Sequence, residues 1–469
     1  MEEVLQDRRR QWLLMSVVAL ALFLDGLDGT IVNVVLPNIA ESFGVGTGKI
    51  SWVVTVYYLM MAGLILIFGK IADSGLIKRL FIMGLLIFAF SSLACGLSTN
   101  LGMLLVFRAV QGVGAAMIAT TAFMLCVKYL PKGMATFALS VGVLGTSIGA
   151  AIGPAVGGVL AEFMSWHLVF FINVPVGIVG ALVAMHAIPR DSGFESPGFD
   201  IKGAAVLFLV MITGLYAVES VPSHGITPVS GLCVVISLIS LAVFVLIEKK
   251  AVDPIVKLRL FRLPRLDAVI IALIIINVVY LGAVYLLPFY LQVVMGLDTI
   301  GSGLYLFIPS IGILSFCLWV GKAADRIGNR PFVIASAAAM IVTMALFYIM
   351  DADTIGYLVA GLFILGVTWG LAGGPIGGRM LDNVPEDDRP KASALLSFFI
   401  YFGCALGTAS FAGLFGLGSG SSGTEMQLLS PDVFLEGFRF AMMVGLIMSV
   451  VMLILSWIVN EKKVAKPDE

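Results

Sequence analysis

Two carboxylates, Asp25 and Asp28, and one guanidinium, Arg108, interrupt long apolar runs of this sequence. Each such charge costs about 2.5–3.5 kcal/mol at the centre of a bilayer, so the three are expected to face a polar cavity or one another. Their spacing puts Asp25 and Asp28 on one helix face, with Cβ atoms about 5–6 Å apart. Carboxylates that close in a low-dielectric site titrate as a coupled pair. A nearby Arg108 would shift the balance, so water or a cationic ligand could decide whether a proton stays. That is the chemistry of proton exchange. The structural alternative for the same residues is a permanent buried ion pair that holds two helices together. Asn33 and Gln111 lie near the trio and, with Tyr57, are candidate cavity residues.

The elements that must position these groups are membrane spans. Of 469 residues, 60% are hydrophobic and 12% charged, and the mean hydropathy is +1.07, which excludes a soluble enzyme. A formal charge of −1 gives no reason to expect a nucleic-acid partner. The cysteines stand singly in apolar runs, so neither a disulfide framework nor a metal site is expected. A span needs roughly 20 apolar residues, and fourteen candidates begin near Trp12, Ile50, Arg79, Leu101, Met134, Trp166, Ile201, Pro228, Asp267, Gly301, Pro331, Ile355, Ala392 and Phe434. They divide into residues 1–190 with six spans, 191–266 with two, and 267–469 with six. The polar amino end leads into an apolar run too long for a signal peptide, so it is expected to remain uncleaved and cytoplasmic. On that orientation every Lys and Arg except Lys49, Arg108 and Arg439 falls on the cytoplasmic side, as the positive-inside rule requires. Both termini are therefore expected in the cytoplasm.

The chain also repeats itself. GKIADSGLIKR from Gly69 to Arg79 returns as GKAADRIGNRP from Gly321 to Pro331, an offset of 321 − 69 = 252. LPNIAESFGV from Leu36 and LPFYLQVVMG from Leu287 give 251. Spread over eight spans this is about 31 residues each, which fits fourteen spans better than twelve. In both copies Gly69 and Gly321 can let helices approach, and Asp73 and Asp325 can accept from helix amino ends or basic partners. The first copy keeps only Lys78 and Arg79 as basic residues, whereas Arg326, Gly328 and Arg330 complete the second, so the stronger latch is expected in the second half. The fifth span carries Gly145, Gly149, Gly153, Pro154, Gly157 and Gly158, a ladder that presents a bare face to a partner helix.

These motifs, with LDGTIVNVVLP in the first span and RAVQGVGAA in the fourth, resemble the major facilitator superfamily. Within it the chain is similar, over nearly its whole length, to fourteen-helix drug:proton antiporters of the EmrB/QacA type. The resemblance implies an all-α integral membrane protein of the major facilitator fold, with two six-helix bundles and two inserted helices. It implies multidrug efflux of amphipathic, often cationic organic compounds across the cell membrane by proton-coupled antiport and alternating access. The partners would be that small-molecule substrate, protons and membrane lipid, with no cofactor beyond the proton gradient, and the unit a monomer. The fifth-span motif favours export. Asp28 falls within the family's first-span motif and Asp25 precedes it, so their roles could be reversed. At the repeat offset Asn277 stands opposite Asp25 and Tyr280 opposite Asp28. Ionisable chemistry thus belongs to the first half, while Tyr285, Phe289, Phe398 and Tyr401 offer aromatic walls for apolar or cationic solutes. Export of a specific metabolite, lipid or peptide, or symport, is the alternative on the same architecture. With no phosphate loop, nucleophile elbow or HExxH helix, nothing points to an enzyme. The inserted pair is expected beside the bundles.

Overall fold

A computed structural model describes residues 7–191, 201–224, 226–251, 266–351, 353–382, 384, 389–420 and 430–458. Every regular element among them is helical: α1 (Arg8–Phe43), α2 (Thr47–Ile71), α3 (Ile77–Gly96), α4 (Leu101–Tyr129), α5 (Lys132–Phe163), α6 (Leu168–Phe171), α7 (Asn173–Ala187), α8 (Ile201–His224), α9 (Pro228–Lys250), α10 (Leu266–Phe289), α11 (Thr299–Ile327), α12 (Arg330–Ile349), α13 (Ile355–Asp382), α14 (Arg389–Ser419) and α15 (Pro431–Ile458). Thirteen helical runs among the described residues are long and apolar enough to cross a membrane. One of them, Thr47–Gly96, is 50 residues long and contains both α2 and α3.

Local chemistry sets the ends of these rods. Asp7 accepts the Arg9 amide at the start of α1, Asn100 the Met103 amide at α4, and Asp298 the Gly301 amide at α11. Thr227 and Ser230 form a reciprocal capping box at α9. Between α2 and α3 the chain reverses at Gly75 with φ 101°, a value that side chains with a Cβ rarely adopt. The repeat places its turn glycine one residue later, at Gly328 with φ 87°. A short π-helical stretch, Ala72–Leu76, takes up the difference in the first copy.

In the first half α1 runs along α5, α4 packs against α2 and α3, and α7 against α3 and α1. In the second, α10 packs on α14, α13 on α11 and α12, and α15 on α12. The halves meet where α2 touches α14 and α5 touches α11. The α1–α5 contact is made by glycine. A Cβ at Gly145, Gly149 or Gly153 would stand 2.4, 2.2 or 2.1 Å from Ala19 O, Phe23 O or Thr30 Oγ1, so only a bare backbone permits this approach. Gly157 continues the row onto Ile31. Gly158 and Pro154 instead face α11, against Thr299 and Gly303.

The α9 helix packs against α8, and α8 rests on both α14 and α2 and so straddles the seam between the halves. That seam is tied at the end of the molecule where α1 finishes, here termed the distal end. Asn38 bonds Thr299 Oγ1 (3.2 Å), the Thr299 amide donates to Glu162 (3.2 Å), Gln292 reaches Val34 O (3.5 Å), and the Tyr285 hydroxyl donates to the Thr47 carbonyl.

Candidate functional site

Asp28 and Arg108 meet in the middle of the first half, as the buried ion pair that was the structural alternative for these residues. Arg108 Nη1 stands 2.6 Å from Asp28 Oδ2, and both side chains are about 1% exposed or less. The other carboxylate oxygen accepts from Gln111 Nε2 (2.9 Å) and Asn173 Nδ2 (3.0 Å). Arg108 also donates to Gln111 Oε1 (2.7 Å) and to the Val53 carbonyl (3.0 Å), and Gln111 donates to Ser92 Oγ (2.7 Å). The guanidinium lies 4.3 Å from the centroid of the Tyr57 ring and 5.9 Å from that of Phe170. Five helices, α1, α2, α3, α4 and α7, thus converge on one buried charge pair whose polar atoms are nearly all bonded.

Asp25 sits in a different setting. One turn before Asp28, it is half-buried, and no Lys or Arg pairs with it among the described residues. Its Oδ1 accepts from the Tyr57 hydroxyl at 3.3 Å, and the Tyr401 hydroxyl, from α14 in the opposite half, faces the same carboxylate. Tyr401 stacks on Tyr58 with centroids 6.3 Å apart and planes at 21°. Tyr58 donates to the Gly29 carbonyl at 3.4 Å. Asp25 therefore lies at the seam, ringed by hydroxyls and aromatic faces from both halves. Tyr57 joins the two settings, its ring under Arg108 and its hydroxyl on Asp25.

The remaining candidates scatter. Asn33 is buried and bonds the Gly29 carbonyl, which leaves its Oδ1 without a partner. Asn277 bonds its own helix at Leu273 O (2.7 Å), with the Cys404 thiol 3.8 Å from its Oδ1. Tyr280 packs on Trp369 with centroids 5.3 Å apart. Tyr285 and Phe289 pack edge to face, fully buried, at the distal closure rather than on an open wall. Phe398 is buried against Phe399 and Phe402. Of the loop residues, Gly69 has ordinary contact with Thr120, and Asp73 and Arg326 are exposed. The surroundings of Gly321 and the Asp325 side chain lie outside the described residues. The carboxylate that caps α3 is Asp191, which accepts from the amides of Lys78 (2.8 Å) and Arg79 (3.2 Å) and lies 3.7 Å from Arg79 Nε. Arg330 donates to Trp457 O at 2.7 Å.

Sequence reasoning passed over Asn173, Ser92, Asp191 and Tyr58. A polar residue at the start of the sixth span, opposite a charged trio, was the available signal for Asn173. Trp166 is buried and donates to Ser42 Oγ (3.0 Å). It stacks on His167, whose burial lowers its pKa. With Phe43 and residues 96–99 they wall a distal groove of about 420 Å³.

Two packed helical halves, tied at one end and carrying a half-buried carboxylate on their seam, have the architecture of a membrane transporter. The sequence model of the Major Facilitator Superfamily matches residues 18–408, and the chain belongs to that superfamily. It is 29% identical over 420 residues to MdtD of Salmonella heidelberg (strain SL476), named as a candidate multidrug resistance protein, covering 87% of this chain and 88% of the relative. It is 27% identical over 409 residues to the riboflavin transporter RibZ of Clostridioides difficile (strain 630), covering 87% and 89%. Among solved structures, a bacterial homologue of the human lysosomal transporter Spinster, inward-facing and unoccupied, superposes with a TM-score of 0.65 at 16% identity, covering 96% of this chain and 97% of that one. The protein is thus a multi-pass membrane transporter.

Proposed function

We propose that the protein is a proton-coupled antiporter that exports amphipathic, often cationic organic compounds, and that Asp25 is the group that exchanges a proton for the substrate. The observation that carries this reading is the contrast between two carboxylates one turn apart. Asp28 is held by Arg108, Gln111 and Asn173, so protonating it would strand a buried guanidinium. Asp25 has hydroxyl neighbours on the seam and no cation of its own among the described residues. An ionised Asp25 attracts a cationic solute and a protonated one does not, so proton and substrate compete for one site. The distal bonds between the halves support a conformer open toward the other end, from which an exporter loads.

In this reading Thr47–Gly96 crosses twice, giving fourteen spans of the EmrB/QacA type. As a single helix it would be about 75 Å long, against roughly 30 Å of hydrocarbon, and Gly75 supplies the reversal. Residues 1–190 and 267–469 form the rocking bundles, 191–266 carries the inserted pair, and both termini face the cytoplasm. The working unit is a monomer. In proteoliposomes with the proximal face outward, an acidic lumen is expected to drive uptake of a cationic dye by wild type and not by Asp25→Asn. Wild-type uptake by Asp25→Asn would remove Asp25 from this role.

A specific planar solute is the second reading, favoured by the Tyr58–Tyr401 stack and by the kinship with RibZ. Flux of one neutral aromatic compound, with cationic dyes excluded, would select it.

A further inference from the structure

The inserted helix α8 brings a carboxylate to the distal closure. It runs antiparallel to α2, and two contacts fix the register. Phe208 fills the space left at Gly63, where a Cβ would stand 2.3 Å from its ring, and Tyr216 lies 6.2 Å from Trp52 between ring centroids. Continuing the same register, Glu219 falls level with Lys49 to Trp52, in the first two turns of α2. Glu219 is only 6% exposed. The amino end of α2 has no side-chain cap at Gly46, so a negative charge near it is favourable. The same carboxylate acts electrostatically on the hydroxyl of Tyr285, the group that bonds the Thr47 carbonyl and ties α10 to α2. Distal opening must part α2 from α10 and α14. Because α8 rests on both α2 and α14, it cannot follow both.

We propose that Glu219 is a positioning residue of the distal gate. It steadies the first turn of α2 against Tyr285 in the shut arrangement, which makes the inserted pair a brace across the moving seam. This inference rests on the alternating-access reading above but on neither the substrate nor Asp25.

The test uses full-length protein carrying Ser302→Cys, a buried position on α11 beside the distal contacts. A membrane-impermeant maleimide is applied from the distal side, and peptide mass spectrometry reads the labelled thiol, with the native cysteines as internal references. Glu219→Gln is expected to raise the labelling rate of the introduced thiol roughly twofold to fivefold, the factor for a charge lost near a helix amino end. Glu219→Asp should stay within about twofold of wild type, and Tyr285→Phe should match Glu219→Gln without adding to it. Wild-type labelling in Glu219→Gln while Tyr285→Phe is accelerated would overturn the proposal. If Glu219→Gln does not accumulate in the membrane, Tyr285→Phe alone decides, and an unchanged rate overturns it. No labelling in any variant, with or without substrate, would instead sink the alternating-access reading.

Discussion

Lys78 and Arg330 stand 330 − 78 = 252 residues apart, the interval of the internal repeat, and occupy the same place in their halves. Lys78 Nζ donates to the carbonyls of Met185 and Ile188 at the end of α7, each at 2.7 Å. Arg330 donates to the Trp457 carbonyl at the end of α15. Each half thus ties the start of its third span to the end of its sixth through a cation on a helix carboxyl end. At their centres the halves part company. Where the first has Asp25 and Asp28 with Arg108, the second has Asn277 folded back on its own helix and Tyr280 against Trp369. Duplication kept the clasp that makes each half a body and left the ionisable pair to one half only. Rigidity is a need of both halves, whereas the proposed proton exchange needs one titrating site only.

The sharpest way to break that comparison is to remove the cation. Arg108→Ala leaves Asp28 buried without its ion partner and is expected to cost about 3–5 kcal/mol, read as a large loss of Tm or of folded protein in detergent. Asn277→Ala, in the matching half, removes one intrahelical bond and should cost about 1 kcal/mol. Equal losses would mean that the two centres play the same structural part.

Next in size is the split between the two carboxylates. Asp28→Asn strands Arg108 and is expected to lower stability by about 2–4 kcal/mol, whereas Asp25→Asn should change it by less than about 1 kcal/mol while gradient-driven exchange is lost. A stable Asp28→Asn protein with full exchange would show that the buried network is dispensable. Packing comes third. Gly149→Ala puts a methyl 2.2 Å from Phe23 O and 2.8 Å from Leu27 N, both backbone atoms that cannot step aside. Overpacking by about 1–3 kcal/mol should lower Tm and slow exchange, because α1 carries both carboxylates and rides on this face of α5.

What could be read in advance follows a physical boundary. Depth along a helix is local arithmetic at 1.5 Å per residue, so a meeting of Arg108 with the carboxylates of the first span was legible, though not which of the two it would take, as was the glycine face of α5. Partners set by how the halves dock were not. Nothing near Tyr401 in the sequence says that its side chain reaches Asp25 in the other half, and nothing in α8 says that its outer turn lies over the start of α2. Tyr285 and Phe289 read as wall residues because an aromatic side chain carries no sign of whether it faces a cavity or a closure. The carboxylate on the α3 amino end is likewise a partner remote in the chain: Asp191 lies just beyond the sixth span, 113 positions from Lys78.

The smallest expected effect tests the shared clasp. Lys78→Ala and Arg330→Ala each remove a cation from two or fewer carbonyls at a partly exposed helix end, where solvent weakens the interaction, so each should cost about 1 kcal/mol or less. The informative quantity is their similarity. If the clasps are equivalent, the two losses agree and add in the double variant, since the sites lie in separate halves. The intact second copy of the loop motif argues for a larger loss at Arg330, whose guanidinium also lies 5.9 Å from the Trp457 ring centroid. Replacing Arg330 by Lys separates these views. The substitution keeps the charge and the carbonyl bond but weakens the contact with the indole, so an unchanged Tm would assign the clasp to charge alone, in both halves alike.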